Sequence, residues 1–190
     1  MHKILGLLSL ALTIWAMAPY IRDIHRNKFK PHTFSWLIWG STTIIVGIAQ
    51  YSENGGAGSW SFLLSGTITF YIAYQGFIRQ ADNSHTTSDK VFLIVSILSI
   101  PIWLYTQDPL YSVVLLTGID ILGYGPTLRK SYYKPFEESL ALFSIMTLRN
   151  TLTAIALEHY SFTTLVFPLA TTCANCVVIA VILIQRKKAQ

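Results

Sequence analysis

The sequence predicts an all-α integral membrane protein whose seven transmembrane helices form two parallel three-helix repeats joined by a linker helix, a 3+1+3 plan. The 190 residues are 52% apolar and 12% charged, and their mean hydropathy is +0.47. About a quarter of the residues in a soluble protein are charged, so this composition is typical of a chain that resides in a bilayer. Apolar stretches of spanning length and a repeated basic element predict the number and grouping of the helices.

The apolar stretches lie near residues 3–20, 33–51, 57–78, 89–106, 109–128, 138–157 and 161–185. Each has the length of roughly 17 to 25 residues that a helix needs to cross a hydrocarbon core. They group into a first bundle over residues 1–78, a linker helix with flanking loops over 79–108 and a second bundle over 109–190. A single linker crossing between two odd-numbered bundles gives both bundles the same orientation in the membrane.

A K-P-x-x-x-S element supports the duplication, because it occurs at residues 30–35 and again at 134–139. Each copy follows an apolar stretch with a proline near its end, Pro19 in the first half and Pro126 in the second. A repeat of this kind constrains the architecture before individual residues are considered. The chain is therefore predicted to contain two copies of one three-helix unit.

The charges of the connections predict the orientation, since Lys and Arg collect in loops that stay cytoplasmic. Every second connection is basic and carries Arg22, Arg26, Lys28, Lys30, Arg79, Lys90, Arg129, Lys130, Lys134, Arg186, Lys187 and Lys188. The opposite connections carry Glu53, Asp108 and Glu158. This pattern predicts an amino terminus outside and a carboxyl terminus in the cytoplasm. The net charge of +5 is interpreted as anchoring to an anionic leaflet, so the predicted partner is the lipid bilayer and not a nucleic acid.

The first apolar stretch also has the features of a secretory signal peptide, with Lys3, an apolar run and an A-x-A site at residues 16–18. We expect this stretch to remain as the first helix. Pro19 would directly follow the cleavage site, and the second half of the chain contains a counterpart that cannot be a signal.

Together, the prolines near the ends of helices one and five, the basic loops and the K-P-x-x-x-S element resemble the PQ-loop and SWEET superfamily. That superfamily includes transporters of sugars, amino acids and vitamins, and also the KDEL receptors. The element K-P-H-T-F-S-W is similar to that of a bacterial branch, which implies a location in the bacterial inner membrane. Tyr20 and Thr127 follow the two prolines where the family has glutamine, so the resemblance implies the fold and not a substrate.

Two formally charged residues lie deep in the predicted spans, Asp120 on helix five and Arg149 on helix six. With Asn175 on helix seven, they lie roughly 12 to 16 Å from the cytoplasmic face. Ionisable groups are costly in a bilayer and indicate function. We predict a polar site in the second bundle, where Arg149 binds an anionic group, Asp120 takes up a proton or holds a cationic group, and Asn175 supplies hydrogen bonds. The alternative is a structural ion pair between Asp120 and Arg149 with no substrate.

Asn150, Tyr71 and Tyr124 complete the predicted substrate-binding residues. The resemblance to SWEET-type transporters separately implies that Asn175 faces the pocket. The matching position on helix three is near Thr69 or Phe70, so the asparagine pair expected of a sugar site is missing. An amino acid or another charged metabolite is therefore favoured over a neutral sugar.

Two pairs of residues are candidate hinges and gates. The resemblance implies that Pro19 and Pro126 act as hinges, and the alternative is that they are ordinary helix terminators. Trp36 and Trp39 are three positions apart and share a helical face. They either line an inner gate or anchor the helix at the membrane interface.

No catalytic residue, metal site or cofactor is predicted. Cys173 and Cys176 share a helical face, but zinc takes four ligands and no histidine or further cysteine is at hand. The sequence contains no P-loop motif, no H-E-x-x-H spacing and no catalytic triad. An enzyme is therefore the class that the sequence favours least.

The sequence favours a secondary transporter that moves a small polar or charged solute across the inner membrane by alternating access, with proton coupling left open. A non-transporting receptor or scaffold that resembles the KDEL receptors, and a sugar or vitamin facilitator, remain alternatives. A monomer is expected to suffice, because the duplicated chain already holds both bundles, and a homo-oligomer stays an alternative.

Overall fold

The computed structural model describes residues 1–27, 31, 33–79, 87–133, 135–137 and 140–189, apart from a few side chains within these ranges. Seven α-helices lie in this part of the chain: α1 His2–His25, α2 Thr33–Ser52, α3 Trp60–Ile78, α4 Thr87–Thr106, α5 Pro109–Tyr133, α6 Leu140–Ala156 and α7 Phe162–Lys188. Short 3-10 helices at Gly56–Ser59 and Pro135–Glu137 precede α3 and α6. The predicted all-α class is confirmed.

Helices α1 and α5 continue beyond the prolines that were predicted to lie near their ends. Pro19 lies inside α1, which runs on to His25, and α5 runs on to Tyr133. The interpretation of Pro19 as a helix terminator is therefore wrong. A proline removes one backbone hydrogen bond, but the turns on either side can still form theirs. As a result, Arg22 and Arg129 lie in the final turns of helices and not in loops.

The repeated K-P-x-x-x-S element lies largely outside the described residues. Lys30, Lys134 and Ser139 are not described, and the side chain of Ser35 is not described either. Pro31 is buried beside α3, where a Cβ on Gly76 would come within 3.2 Å of its carbonyl oxygen. The first copy of the element therefore borders the end of α3.

Two of the described helices, α1 and α7, are long and apolar enough to cross a bilayer by length and composition. Shorter apolar helical stretches occur at Leu93–Thr106, Pro109–Leu122 and Leu140–Ala156. Many large apolar side chains are exposed on the exterior, among them Ile4, Leu7, Trp15, Ile94, Leu104 and Leu183. The interior holds polar side chains such as Thr13, Thr42 and Gln50 at 0% exposure. The protein thus has an apolar exterior and a partly polar interior. This distribution is the one expected of a protein that is surrounded by an apolar solvent.

The helices pack as two similar triples. In the first triple, α3 packs against both α1 and α2, and in the second, α7 packs against both α5 and α6. The triples meet where α1 packs on α6 and where α2 packs on α5, while α4 contacts α5 and α2. The contacts α1 to α6 and α5 to α2 are equivalent if the halves are exchanged. The same pairs of elements are therefore in contact in the two triples.

The loops between α2 and α3 and between α6 and α7 join the two triples at one end. We call residues 53–59 and 157–161 the loop-paired end. The Glu158 backbone N–H donates to the Gly55 carbonyl at 3.1 Å, and the Ala57 backbone N–H donates to Glu158 Oε1 at 3.3 Å. Gln50 Nε2 also donates to the Thr164 carbonyl at 2.6 Å. These bonds hold the triples together at this end.

We call the opposite end, where α1, α3, α5 and α7 finish, the basic end. Arg79 Nη1 donates to Asn27 Oδ1 at 2.9 Å, which links the ends of α3 and α1. Arg186 Nε donates to the Pro135 carbonyl at 3.0 Å, which links α7 to the connection between α5 and α6. The basic side chains therefore help to fasten neighbouring helix ends within each triple.

Candidate functional site

A cavity of about 320 Å³ lies between the two triples. Helices α1, α2 and α3 of the first triple and α5, α6 and α7 of the second all contribute to its walls. The lining residues are Ala16, Met17, Tyr20, Trp36, Trp39, Thr43, Phe62, Ser65, Thr69, Asp120, Tyr124, Leu142, Phe143, Met146, Arg149, Asn150, Phe167, Thr171 and Asn175. The prediction of a site inside the second bundle is thus too narrow, because this cavity exists only where the two triples face each other.

Arg149 supplies the buried positive charge of the cavity. Its side chain is 6% exposed, and the guanidinium carbon lies 4.9 Å from the centre of the Phe62 ring. Arg149 Nη2 makes a long hydrogen bond of 3.4 Å to Ser65 Oγ, and it lies 3.9 Å from Met146 Sδ. Nε and Nη1 have no hydrogen-bond partner. Arg149 therefore lines the cavity with a guanidinium that is incompletely hydrogen-bonded within the protein.

Asp120 supplies the negative charge, from α5. It accepts a hydrogen bond of 2.8 Å from Thr42 Oγ1 on α2, so the first triple helps to fix its position. Asp120 and Arg149 make no nitrogen–oxygen contact within 4.0 Å. The direct ion pair of the structural alternative is therefore not present.

Amide and hydroxyl groups surround the two charges. Tyr124 Oη donates to Asn175 Oδ1 at 2.9 Å, and Asn175 is 2% exposed. Asn150 Nδ2 donates to Thr171 Oγ1 at 3.0 Å, while Asn150 Oδ1 has no partner. Four of the predicted binding residues besides Arg149, namely Asp120, Tyr124, Asn150 and Asn175, thus line the same cavity.

Tyr71 does not join this site. It is exposed on α3, where its hydroxyl lies 2.8 Å from His25 Nε2, and it is not among the lining residues. Thr69 lines the cavity two positions earlier, and two residues turn a helix by about 200°, so position 71 faces away. The prediction of Tyr71 as a binding residue is wrong for this cavity.

The candidate gate and hinge residues have different surroundings. Trp36 and Trp39 both line the cavity, with ring centroids 5.5 Å apart in an edge-on arrangement. Tyr20 stacks on Trp36 with ring centroids 5.1 Å apart. Pro19 is exposed and does not line the cavity, and the side chain of Pro126 lies outside the described residues. The two tryptophans therefore belong to the wall of the cavity, and the hinge roles stay predictions.

Sequence reasoning placed Tyr71 of α3 in the site and missed the face of α3 that contacts Arg149. Ser61, Ser65 and Thr69 follow one another at intervals of four on α3 and are buried. Ser65 contacts Arg149, and Ser61 Oγ lies 2.6 Å from Thr153 Oγ1 on α6. Small polar residues at this spacing form one stripe on an otherwise apolar helix. That stripe is the signal that could have identified this face of α3.

The two cysteines lie apart from the site. Cys173 and Cys176 are free thiols exposed on α7, and neither lines the cavity. Within the described ranges no group of three His, Cys, Asp or Glu side chains is arranged to hold a metal ion.

Comparisons with protein-family models, curated proteins and solved structures found no match for this chain. The geometry of the site indicates which kind of molecule it can bind. A guanidinium with two unpartnered nitrogens, which lines the same cavity as a carboxylate and two amides, can bind a molecule that carries an anionic group and a hydrogen-bonding or cationic group.

Proposed function

We propose that this chain is a secondary transporter that binds a small charged solute, such as an amino acid, in the cavity between its two triples. The observation that carries the proposal is the Arg149 guanidinium, whose Nε and Nη1 are buried without partners in the cavity wall. A buried charge with unused donors is costly unless another charge completes it. An anionic group of the solute would supply the missing acceptors.

We propose further that the helices form seven membrane spans in the 3+1+3 arrangement of a PQ-loop or SWEET-like protein in a bacterial inner membrane. The apolar exterior and the matching packing of the two triples support this arrangement. The basic end would face the cytoplasm, because positive residues are retained there, and the amino terminus would lie outside.

Transport is favoured over a receptor role because the cavity lies between the two triples, whose relative movement would expose it to either face in turn. Hydrogen bonds join the triples at the loop-paired end. The cavity extends away from that end, from Phe62 to Trp36 near the start of α2. We propose that this form is closed at the outer face, and that separation of the paired loops would expose the same site there.

The test is uptake into proteoliposomes with a panel of radiolabelled amino acids, organic acids and sugars, with and without a pH gradient. For a solute that is taken up, we expect Arg149→Gln to lower uptake at subsaturating concentration by about tenfold or more, since a charge-assisted hydrogen bond is lost. Arg22→Gln is the matched control, because the Arg22 side chain is 61% exposed at the basic end. Equal uptake by Arg149→Gln and the control would contradict the proposal.

A further inference from the structure

The cavity has a charged part and an aromatic part at different depths. Arg149 lies nine residues into α6 and Trp36 three residues into α2, and both helices start at the basic end. At a rise of 1.5 Å per residue, the charged part lies about 9 Å deeper than Trp36. A solute that reaches both parts must therefore have an extended shape with one charged end.

The aromatic part is built by Tyr20, Trp36 and Trp39. Their rings stack and pack edge-on with centroids 5.1 and 5.5 Å apart, and all three side chains line the cavity. Phe143 and Met146 on α6 also line the cavity. In this part, both triples present flat apolar surfaces to a bound molecule.

These walls suit an aromatic or similarly large apolar group. Burial of such a group removes apolar surface from water, and aromatic pairs add a further attraction. A sugar would need partners for each of its hydroxyls, but the Tyr124 hydroxyl and the Asn175 carbonyl are already bonded to each other. The volume of about 320 Å³ is at the lower limit for ligand pockets, so only one small molecule fits.

We infer that the solute is a carboxylate that bears an aromatic or large apolar group, with its carboxylate on Arg149 and its apolar group against Trp36 and Trp39. This inference rests on the proposed function, since it names the class of solute for the same site. Trp36 and Trp39 are then specificity-determining residues that select the body of the solute, whereas Arg149 selects its charge.

The test compares acids that share one head group, by calorimetric titration of the purified full-length protein in detergent. The probes are L-phenylalanine against L-alanine, and 3-phenylpropionate against propionate, with 3-phenylpropan-1-ol as the uncharged analogue. We expect each aromatic acid to bind about tenfold or more tightly than its small partner, and the alcohol to bind at least about tenfold more weakly than 3-phenylpropionate. Equal affinity of the paired acids would overturn the inference.

Variants separate the two parts of the cavity. Trp36→Leu and Trp39→Leu are expected to reduce the preference for L-phenylalanine over L-alanine, whereas Trp15→Leu, at a 63% exposed position on α1, leaves it unchanged. Arg149→Gln is expected to weaken both acids by a similar factor and to keep their ratio. If alanine binds as well as phenylalanine and Arg149→Gln abolishes both, the proposed function stands and this inference fails. If none of the acids binds, this inference fails, whereas the proposed function fails only if no solute of the uptake panel is transported.

Discussion

At the residue scale, the surroundings of Arg149 are those expected of a ligand-binding residue more than of a residue that stabilises the fold. It is 6% exposed, its Nη2 makes only a long hydrogen bond of 3.4 Å to Ser65, and its other two guanidinium nitrogens have no hydrogen-bond partner. A structural arginine would be expected to have its donors satisfied within the protein. The absence of a direct pair with Asp120 leaves the charge available to a ligand.

This leads to a prediction for the protein without solute. Arg149→Met replaces an incompletely paired buried cation by an apolar side chain of similar length, and such replacements are often stabilising. We expect the free energy of unfolding in detergent to rise by about 1 kcal/mol or more, measured from thermal and denaturant unfolding. Arg22→Met, at an exposed position, is expected to change it little. A less stable Arg149→Met protein with unchanged solute binding would instead support a structural role.

The residue scale also shows which signals the sequence carries. Asp120, Arg149 and Asn175 could be identified from sequence, because charges and amides are rare in apolar spans. Ser65 and Thr42 could not be assigned to them, since serine and threonine are common in such helices and their partners lie 84 and 78 residues away. Long-range pairs of this kind depend on how the helices pack.

At the scale of elements, the loop-paired end depends on close approach of the backbones. A Cβ on Gly58 would lie 2.7 Å from the Leu157 side chain and 2.8 Å from its backbone. Neither backbone can move without disturbing the bonds between Glu158 and Gly55 and between Glu158 and Ala57. The two loops therefore fit only while position 58 is glycine.

We expect Gly58→Ala to lower the free energy of unfolding by about 1 to 3 kcal/mol, because overpacking at a rigid contact is destabilising. The matched control is Gly118→Ala on α5, where a Cβ would meet nothing within 4 Å. That variant should be neutral or more stable by up to about 1 kcal/mol, since alanine favours the helix. Equal effects of the two substitutions on denaturant unfolding would contradict the close contact.

Helix positions were predictable from sequence, whereas helix ends were less so. Each of the seven apolar stretches corresponds to a described helix. The ends of α1 and α5 lie beyond Pro19 and residue 128 because basic residues can extend a helix past its apolar part. Hydrophobicity marks the part of a helix that avoids water, and backbone hydrogen bonding decides where the helix stops.

At the scale of the whole molecule, the orientation can be tested with single cysteines. In a background with Cys173→Ser and Cys176→Ser, we expect Tyr160→Cys at the loop-paired end to react with a membrane-impermeant thiol reagent in intact cells. Lys188→Cys at the basic end should react only after the cells are permeabilised. Both positions are exposed, so labelling reports the side of the membrane and not burial. The reverse pattern would overturn the proposed orientation.

The sequence by itself determined the all-α class and the approximate positions of the helices, because apolar content and span length are local properties of the chain. Only the tertiary structure decided that the cavity lies between the two triples and that Asp120 and Arg149 form no direct ion pair. It also decided that Tyr71 faces away from the cavity, whereas Trp36 and Trp39 line it. These features depend on the rotation of each helix about its axis and on contacts between residues far apart in the chain. No local pattern specifies them.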